Sequence, residues 1–173
     1  MLILSCNKHL LFNFVEEILD KNNLKQKIKY QSEQPKCACA VGLDLLGDRW
    51  SLIIVRDLFK GYSTYSDFLR KASEGIASNI LNDRLKKLVS LGIIDFRKKE
   101  SDRKIKEYYL TDAGIDLYPV IYSLQNWATK HVDFQYTERT MNWKAFNDKV
   151  TQEEVIDHYI ENYKKIRADH FGF

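Results

Sequence analysis

The chain has 173 residues, 27 Lys+Arg against 24 Asp+Glu for a formal net charge of +3, 45% hydrophobic and 13% aromatic residues, and only 7 Gly and 2 Pro. At about 100–200 residues per domain this is one compact domain with additions, and the composition excludes a disordered, collagen-like or low-complexity chain and an all-β fold with many tight turns. The longest run without a charge, Leu117–Thr129, still contains Gln125 and Asn126 and falls short of the ~20 apolar residues of a membrane helix, so no membrane role is expected.

Hydrophobic periodicity marks a first helix at about His9–Lys21, with Leu10, Phe14 and Ile18 on one face and Glu16, Glu17 and Asp20 on the other. A polar connector runs from Lys25 to Lys36. Two short helices follow, at about Ala38–Leu46 and Arg49–Phe59, the second almost wholly apolar and closed by Gly61. Thr64-x-x-Asp67 has the spacing of a capping box and predicts a short helix carrying Phe68 and Leu69. After a Ser73–Gly75 turn comes a helix of about Ala77–Leu91, with Leu81, Leu85, Leu88 and Val89 inward and Gly92 as its stop.

The period then changes to two extended runs, Ile93–Lys98 and Lys104–Leu110, joined by a charged tip, which reads as a hairpin. Thr111 caps a helix of roughly Asp112–His131, in which Leu117, Val120, Ile121, Leu124 and Trp127 form an apolar stripe and Pro119 is expected to cause a kink. The tail reads as an irregular aromatic region with Phe134, Tyr136, Trp143 and Phe146, and then a last helix opened by Thr151-x-x-Glu154.

Helix, turn, helix and hairpin in that order is the plan of a winged helix-turn-helix, a mainly α fold with a small β-hairpin wing, extended here by helices at both ends. An α-helix fits the major groove of duplex DNA, offering side chains to base edges and N–H groups to phosphates. The second helix of the pair opens with Ser78 and Asn79 and continues with Asn82, Arg84, Lys86 and Lys87, short polar groups followed by cations. The hairpin adds Arg97, Lys98, Lys99, Arg103, Lys104 and Lys106, a basic wing able to reach the backbone or the minor groove.

Residues 47–110 hold 14 Lys/Arg against 9 Asp/Glu, whereas 111–173 hold 7 against 10, so the basic middle points to an anionic partner. A basic hairpin alone is commonly just a solvated one, and the adjoining helix pair is what favours nucleic acid. Asp48, Asp83, Glu100 and Asp102 temper the charge, which makes Arg84 a candidate for an ion pair within the protein as well.

The stretch Cys37–Trp50 (CACAVGLDLLGDRW), followed by SLIIVRDL at 51–58, resembles the opening signature of the HxlR family of bacterial winged-helix regulators. YSDFL at 65–69, GIASNILNDRL at 75–85, LGII at 91–94 and EYYLTDAG at 107–114 continue the resemblance in the same order, from about Cys37 to Trp127. The resemblance implies a dimeric, DNA-binding transcriptional regulator that pairs through its terminal helices. It also implies a role for Cys37, because the family pattern has a cysteine just before the first core helix and some members sense oxidants or electrophiles near that end. Lys36 and the helix N-terminus beside Cys37 would favour the reactive thiolate, whereas Cys39 reads as a small core residue. The long N-terminal segment and the tail after His131 exceed the family core, giving an expected division into a 1–36 extension and connector, a 37–131 winged-helix domain and a 132–173 helical extension.

The expected function is that of a homodimeric, sequence-specific regulator binding double-stranded DNA at a palindromic operator, with a small molecule or an oxidant as effector. The apolar stripes Leu10, Phe14, Ile18 and Leu117, Val120, Ile121, Leu124, Trp127 are the expected dimer interface, or else they complete the monomer core. The alternative is a winged helix used as a protein-interaction module without DNA binding. The tail aromatics are expected to cover the core, with an effector pocket as the other reading.

Enzyme chemistry has little to stand on. Gly42 and Gly47 have P-loop spacing, but Asp48 and Arg49 occupy the places of the required Lys and Ser/Thr, and there is no G-x-G-x-x-G or H-E-x-x-H. Cys37 and Cys39 supply only two thiols toward a zinc site. No catalytic residue, metal or cofactor is therefore expected. With three cysteines and no secretory signal at MLILS, a reduced, cytoplasmic setting is expected.

Overall fold

The computed structural model describes residues 28–173. The expected His9–Lys21 helix, with Leu10, Phe14 and Ile18, lies outside the described residues. The chain divides after Glu33, and the unit from Gln34 to Phe173 contains every element below. Residues 28–33 carry no helix or strand.

The elements in chain order are α1 (Ala38–Leu46), α2 (Arg49–Phe59), α3 (Tyr65–Arg70), α4 (Ser78–Ser90), β1 (Ile94–Lys98), β2 (Lys106–Leu110), α5 (Asp112–Ile115), α6 (Tyr118–His131), α7 (Glu138–Asn147) and α8 (Gln152–Phe171). The architecture is a mainly α winged helix-turn-helix with a two-stranded antiparallel hairpin, in register Ile94 with Leu110 and Lys98 with Lys106. Among the described residues no helix is long and apolar enough to cross a membrane.

Local signals in the sequence set these boundaries. Asp48 caps α2 by accepting from the N–H groups of Trp50 and Ser51. Thr64 and Asp67 form a reciprocal capping box on α3, as do Thr151 and Glu154 on α8. Gly92, at φ +66°, lets the chain turn out of α4 into the wing, a left-handed conformation that costs glycine little. At Gly114 a Cβ would stand 2.1 Å from the Ile93 carbonyl oxygen, so only glycine lets α5 approach the hairpin base so closely.

The core is built around α2, whose Ile54, Val55, Leu58 and Phe59 are buried. Leu81, Leu85 and Leu88 of α4 pack on it, and Ile93, Ile94 and Leu110 at the base of the hairpin close one side. Each such side chain contributes about 1.5–3 kcal/mol by leaving water. Residues 132–173, expected as an extension, share this core: Tyr163 of α8 lies 5.1 Å ring to ring from Phe59, and its hydroxyl accepts from the Leu110 N–H at 2.7 Å.

Three expectations need correction. The single helix over Asp112–His131 is two helices, α5 and α6, and Pro119 lies in the first turn of α6 rather than kinking its interior. A proline lacks the N–H that a helix interior needs but is tolerated in a first turn, so the break falls just before it. The aromatic region after His131 is not irregular throughout, because α7 carries Trp143 and Phe146. In the apolar stripe, Ile121 is buried in the protein's own core and Leu117 is half-buried, leaving Val120, Leu124 and Trp127 exposed, Trp127 to 60%.

Candidate nucleic-acid interface

Helix α4 buries one face and presents the other. Leu81, Leu85 and Leu88 point inward, while Ser78, Asn79, Asn82, Asp83 and Lys86 are exposed. Its N-cap, Ala77, has no side chain with which to satisfy the first N–H groups, so these donors are left for another acceptor. The entry to α4 is fixed by α3, where the Tyr65 hydroxyl donates to the Ser78 carbonyl at 2.8 Å. The side chains of Ser78, Asn79 and Asn82 make no hydrogen bond among the described residues.

Arg84 and Lys87 are placed differently. Arg84 Nε donates to Asp48 Oδ1 at 2.8 Å and Lys87 Nζ donates to Asp48 Oδ2 at 3.0 Å. Burial alone would raise the Asp48 pKa, but hydrogen bonds from the Ser51 hydroxyl and from Lys87 outweigh it and bring the carboxyl down to about 2. Asp48 thereby ties α4 to the start of α2. The sequence marked Asp48 only as a charge-tempering residue, although an Asp immediately before an apolar helical run is a cap signal.

The wing lies beside α4, which packs against β1. Its tip is closed by Asp102, whose carboxylate accepts from the Lys104 N–H at 3.0 Å. Lys98, Arg103 and Lys104 are exposed and Lys99 is half-exposed, and none of the four forms an ion pair among the described residues. Lys106 covers the Phe96 ring at 3.9 Å. Arg97 is turned away from this group, since its guanidinium pairs with Glu107 at 3.4 Å, donates to the His170 carbonyl and lies 4.5 Å over the Phe171 ring.

The structure thus brings Ser78, Asn79, Asn82 and Lys86 onto an exposed face of α4, with the wing cations Lys98, Lys99, Arg103 and Lys104 on the neighbouring hairpin. It engages Arg84, Lys87 and Arg97 inside the protein. Cys37, at the N-cap of α1, is exposed and free, and the backbone N–H groups of Ala40 and Cys39 pull its thiol below the usual value. Among the described residues no three His, Cys, Asp or Glu side chains gather to hold a metal ion.

A short α3, a turn, an α4 with an open polar face and a basic hairpin define a winged helix-turn-helix protein. Residues 45–136, just over half of the chain, match the HxlR-like helix-turn-helix family. The chain belongs to that family, whose members are transcriptional regulators rather than enzymes. It is 38% identical over 90 residues to MT3179 of Mycobacterium tuberculosis, an uncharacterized helix-turn-helix transcriptional regulator, covering 52% of this chain and 56% of that one. It is 32% identical over 92 residues to the regulator YvaP of Bacillus subtilis, covering 53% and 83%. The chain thus spans little more than half the length of its mycobacterial relatives.

Among solved structures, PA1607, a candidate transcription factor, matches with a TM-score of 0.54 and 36% identity over 61% of this chain and 74% of that one. The redox regulator HypR in its oxidized form matches with a TM-score of 0.51 and 25% identity, covering 57% of this chain and all of HypR.

Proposed function

We propose that the protein is a homodimeric, sequence-specific regulator that binds double-stranded DNA in the cytoplasm. The observation that carries this reading is the open polar face of α4, Ser78, Asn79 and Asn82, beside a wing whose Lys98, Lys99, Arg103 and Lys104 have no acidic partner among the described residues. Short amides at the start of a recognition helix suit base edges, and free cations on the wing suit phosphates. Arg84 and Lys87 take a positioning role through Asp48, and Arg97 braces the wing.

One helix-turn-helix reads few base pairs, so a two-fold pair gripping half-sites about one turn apart is the arrangement that yields useful specificity. Exposed Val120, Leu124 and Trp127 on α6 supply an apolar face for that pairing, and a palindromic operator follows from it. The test is selection and sequencing of genomic fragments bound by the purified protein. A shared inverted repeat is the expected result. Weak, salt-insensitive retention of unrelated fragments would instead favour a winged helix that contacts only protein.

A second reading concerns the signal. The exposed, acid-shifted Cys37 thiol, together with the likeness to the redox regulator HypR, supports oxidation at Cys37 as the effector event. Operator binding by the wild type and by Cys37→Ser should then respond differently to diamide, and equal responses would remove Cys37 as the sensor.

A further inference from the structure

A cavity of about 610 Å³ opens between the end of α2, the turn before α4, and helices α6, α7 and α8. None of the residues assigned to DNA contact lines it. Part of its wall is an aromatic cluster: Phe59 meets Tyr118 edge-on at 4.9 Å, Tyr118 stacks on Tyr159 at 5.0 Å and 17°, and Trp143 beside them is only 4% exposed.

The polar groups around these rings are unevenly matched. The buried Trp143 indole N–H lies near the Tyr118 hydroxyl but makes no hydrogen bond of proper geometry. A buried indole N–H normally finds an acceptor, and here the Tyr118 hydroxyl is the group beside it. Of the cations at the rim, Arg56 holds Glu74 at 2.7 Å, Lys60 holds Asp57 at 2.8 Å and Lys71 holds Asp67 at 2.7 Å. Arg139, on α7, is exposed, acts electrostatically on the Tyr159 hydroxyl, and forms no ion pair among the described residues. Glu74 lines the same cavity, with its carboxylate held by Arg56 through Oε1 at 2.7 Å.

We propose that this cavity binds a small aromatic carboxylate, its ring against Phe59, Tyr118 and Tyr159 and its carboxylate taken by Arg139. A neutral hydrocarbon would leave Arg139 unanswered. An inorganic anion would leave the rings wet and would face only one unmatched cation. The volume falls in the usual range of small-molecule sites, about 300–1,000 Å³, and admits a two-ring acid. Glu74 lines this cavity and lies in the turn that leads into α4, so a guest there acts on the placement of the recognition helix. That last consequence rests on the proposed DNA-binding reading, whereas ligand binding itself does not.

The test is calorimetric titration of the whole chain with 6-hydroxy-2-naphthoate and with 2-naphthol, which lacks the carboxylate. Saturable binding of the acid is expected, with the naphthol weaker by ~10-fold or more and the acid weakened ~10-fold by Arg139→Gln, the size of one charge-assisted contact. Arg139→Gln should leave naphthol binding and thermal unfolding unchanged. Absence of saturable binding by the acid, equal binding of acid and naphthol, or an unchanged acid affinity in Arg139→Gln would each overturn the proposal. Operator affinity is measured in parallel without ligand. Failure there with intact acid binding would count against the regulator reading and not against the cavity.

Discussion

The Asp48 carboxylate holds Arg84 Nε at 2.8 Å across 36 positions of sequence, and the same carboxylate caps α2 and holds Lys87. One side chain therefore sets both where α2 begins and how α4 sits against it. Asp48→Ala should lose the cap and both charged contacts together, costing about 1–2 kcal/mol in chemical unfolding. Asp48→Asn should keep most of the cap, because asparagine caps nearly as well, but lose both charged contacts, so its stability should fall between those of the wild type and Asp48→Ala. Both should weaken operator binding, since Arg84 and Lys87 are released and α4 loses its tether.

Acid stability follows from the same group. Asp48, Asp67 and Glu74 are all held at about 2, below the ~4 of an unfolded carboxyl. Their stabilisation is present above about pH 4 and is lost as the pH falls from there toward 2, because protonation then favours the unfolded chain. The wild type should lose stability over that window in unfolding measured against pH, and Asp48→Asn should show a shallower fall. Identical profiles would mean that Asp48 is not depressed.

On DNA, the free cations and the polar face of α4 should separate in their effects. Lys86→Ala and Lys104→Ala should weaken all sequences alike, each reducing the slope of log affinity against log salt by about 1. Asn79→Ala should cost about 1–3 kcal/mol on the selected operator and little on random DNA. Fluorescence anisotropy over a salt series distinguishes the two, and an Asn79 effect equal on all sequences would remove it from base reading.

For assembly, Leu124→Glu and Trp127→Glu should shift the protein to monomer in sedimentation, with little change in monomer helicity, because both side chains are exposed in the single chain. A wild-type protein that is monomeric at all concentrations would refute the pairing.

Much of the fold was legible because its punctuation is local. The end of α2 follows from Gly61 and the start of α8 from the Thr151–Glu154 box, whereas the Asp48 cap at the start of α2 went unread. Pro119 was legible as a breaker but not as to which side the break falls, since Tyr118 and Ile121 are claimed by the core and decide it. α7 was missed because its single buried residue, Trp143, leaves almost no periodic stripe to read. The site divides in the same way. Which side chains cluster on α4 and the wing follows from spacing along one chain segment. Which of them are already taken depends on Asp48, Glu107 and His170, partners that only tertiary packing brings near.

The buried Tyr163 hydroxyl tests how deeply the tail is joined to the rest. Tyr163→Phe removes the acceptor for the Leu110 N–H and should cost about 1–3 kcal/mol in thermal or urea unfolding. A change near zero would mean that this hydrogen bond contributes nothing to holding α8 on the hairpin.

The long reach of α8 has a consequence for how the molecule comes together. Its contacts join distant parts of the chain: Tyr163 to Leu110 over 53 positions, Arg167 to Asp112 over 55, and His170 to Glu107 over 63. The pairs that build the helix-turn-helix and the hairpin are closer in sequence, 13 positions for Tyr65–Ser78 and 36 for Asp48–Arg84. Loop closure favours near partners first, so the reading head is expected to condense early and the last helix to dock late, onto a surface already formed. Until it docks, Tyr109 and Glu107 face water, and the hairpin lacks the brace that Arg97 finds at His170 and Phe171. A chain caught before that step would hold a recognition helix in place beside an unsupported wing.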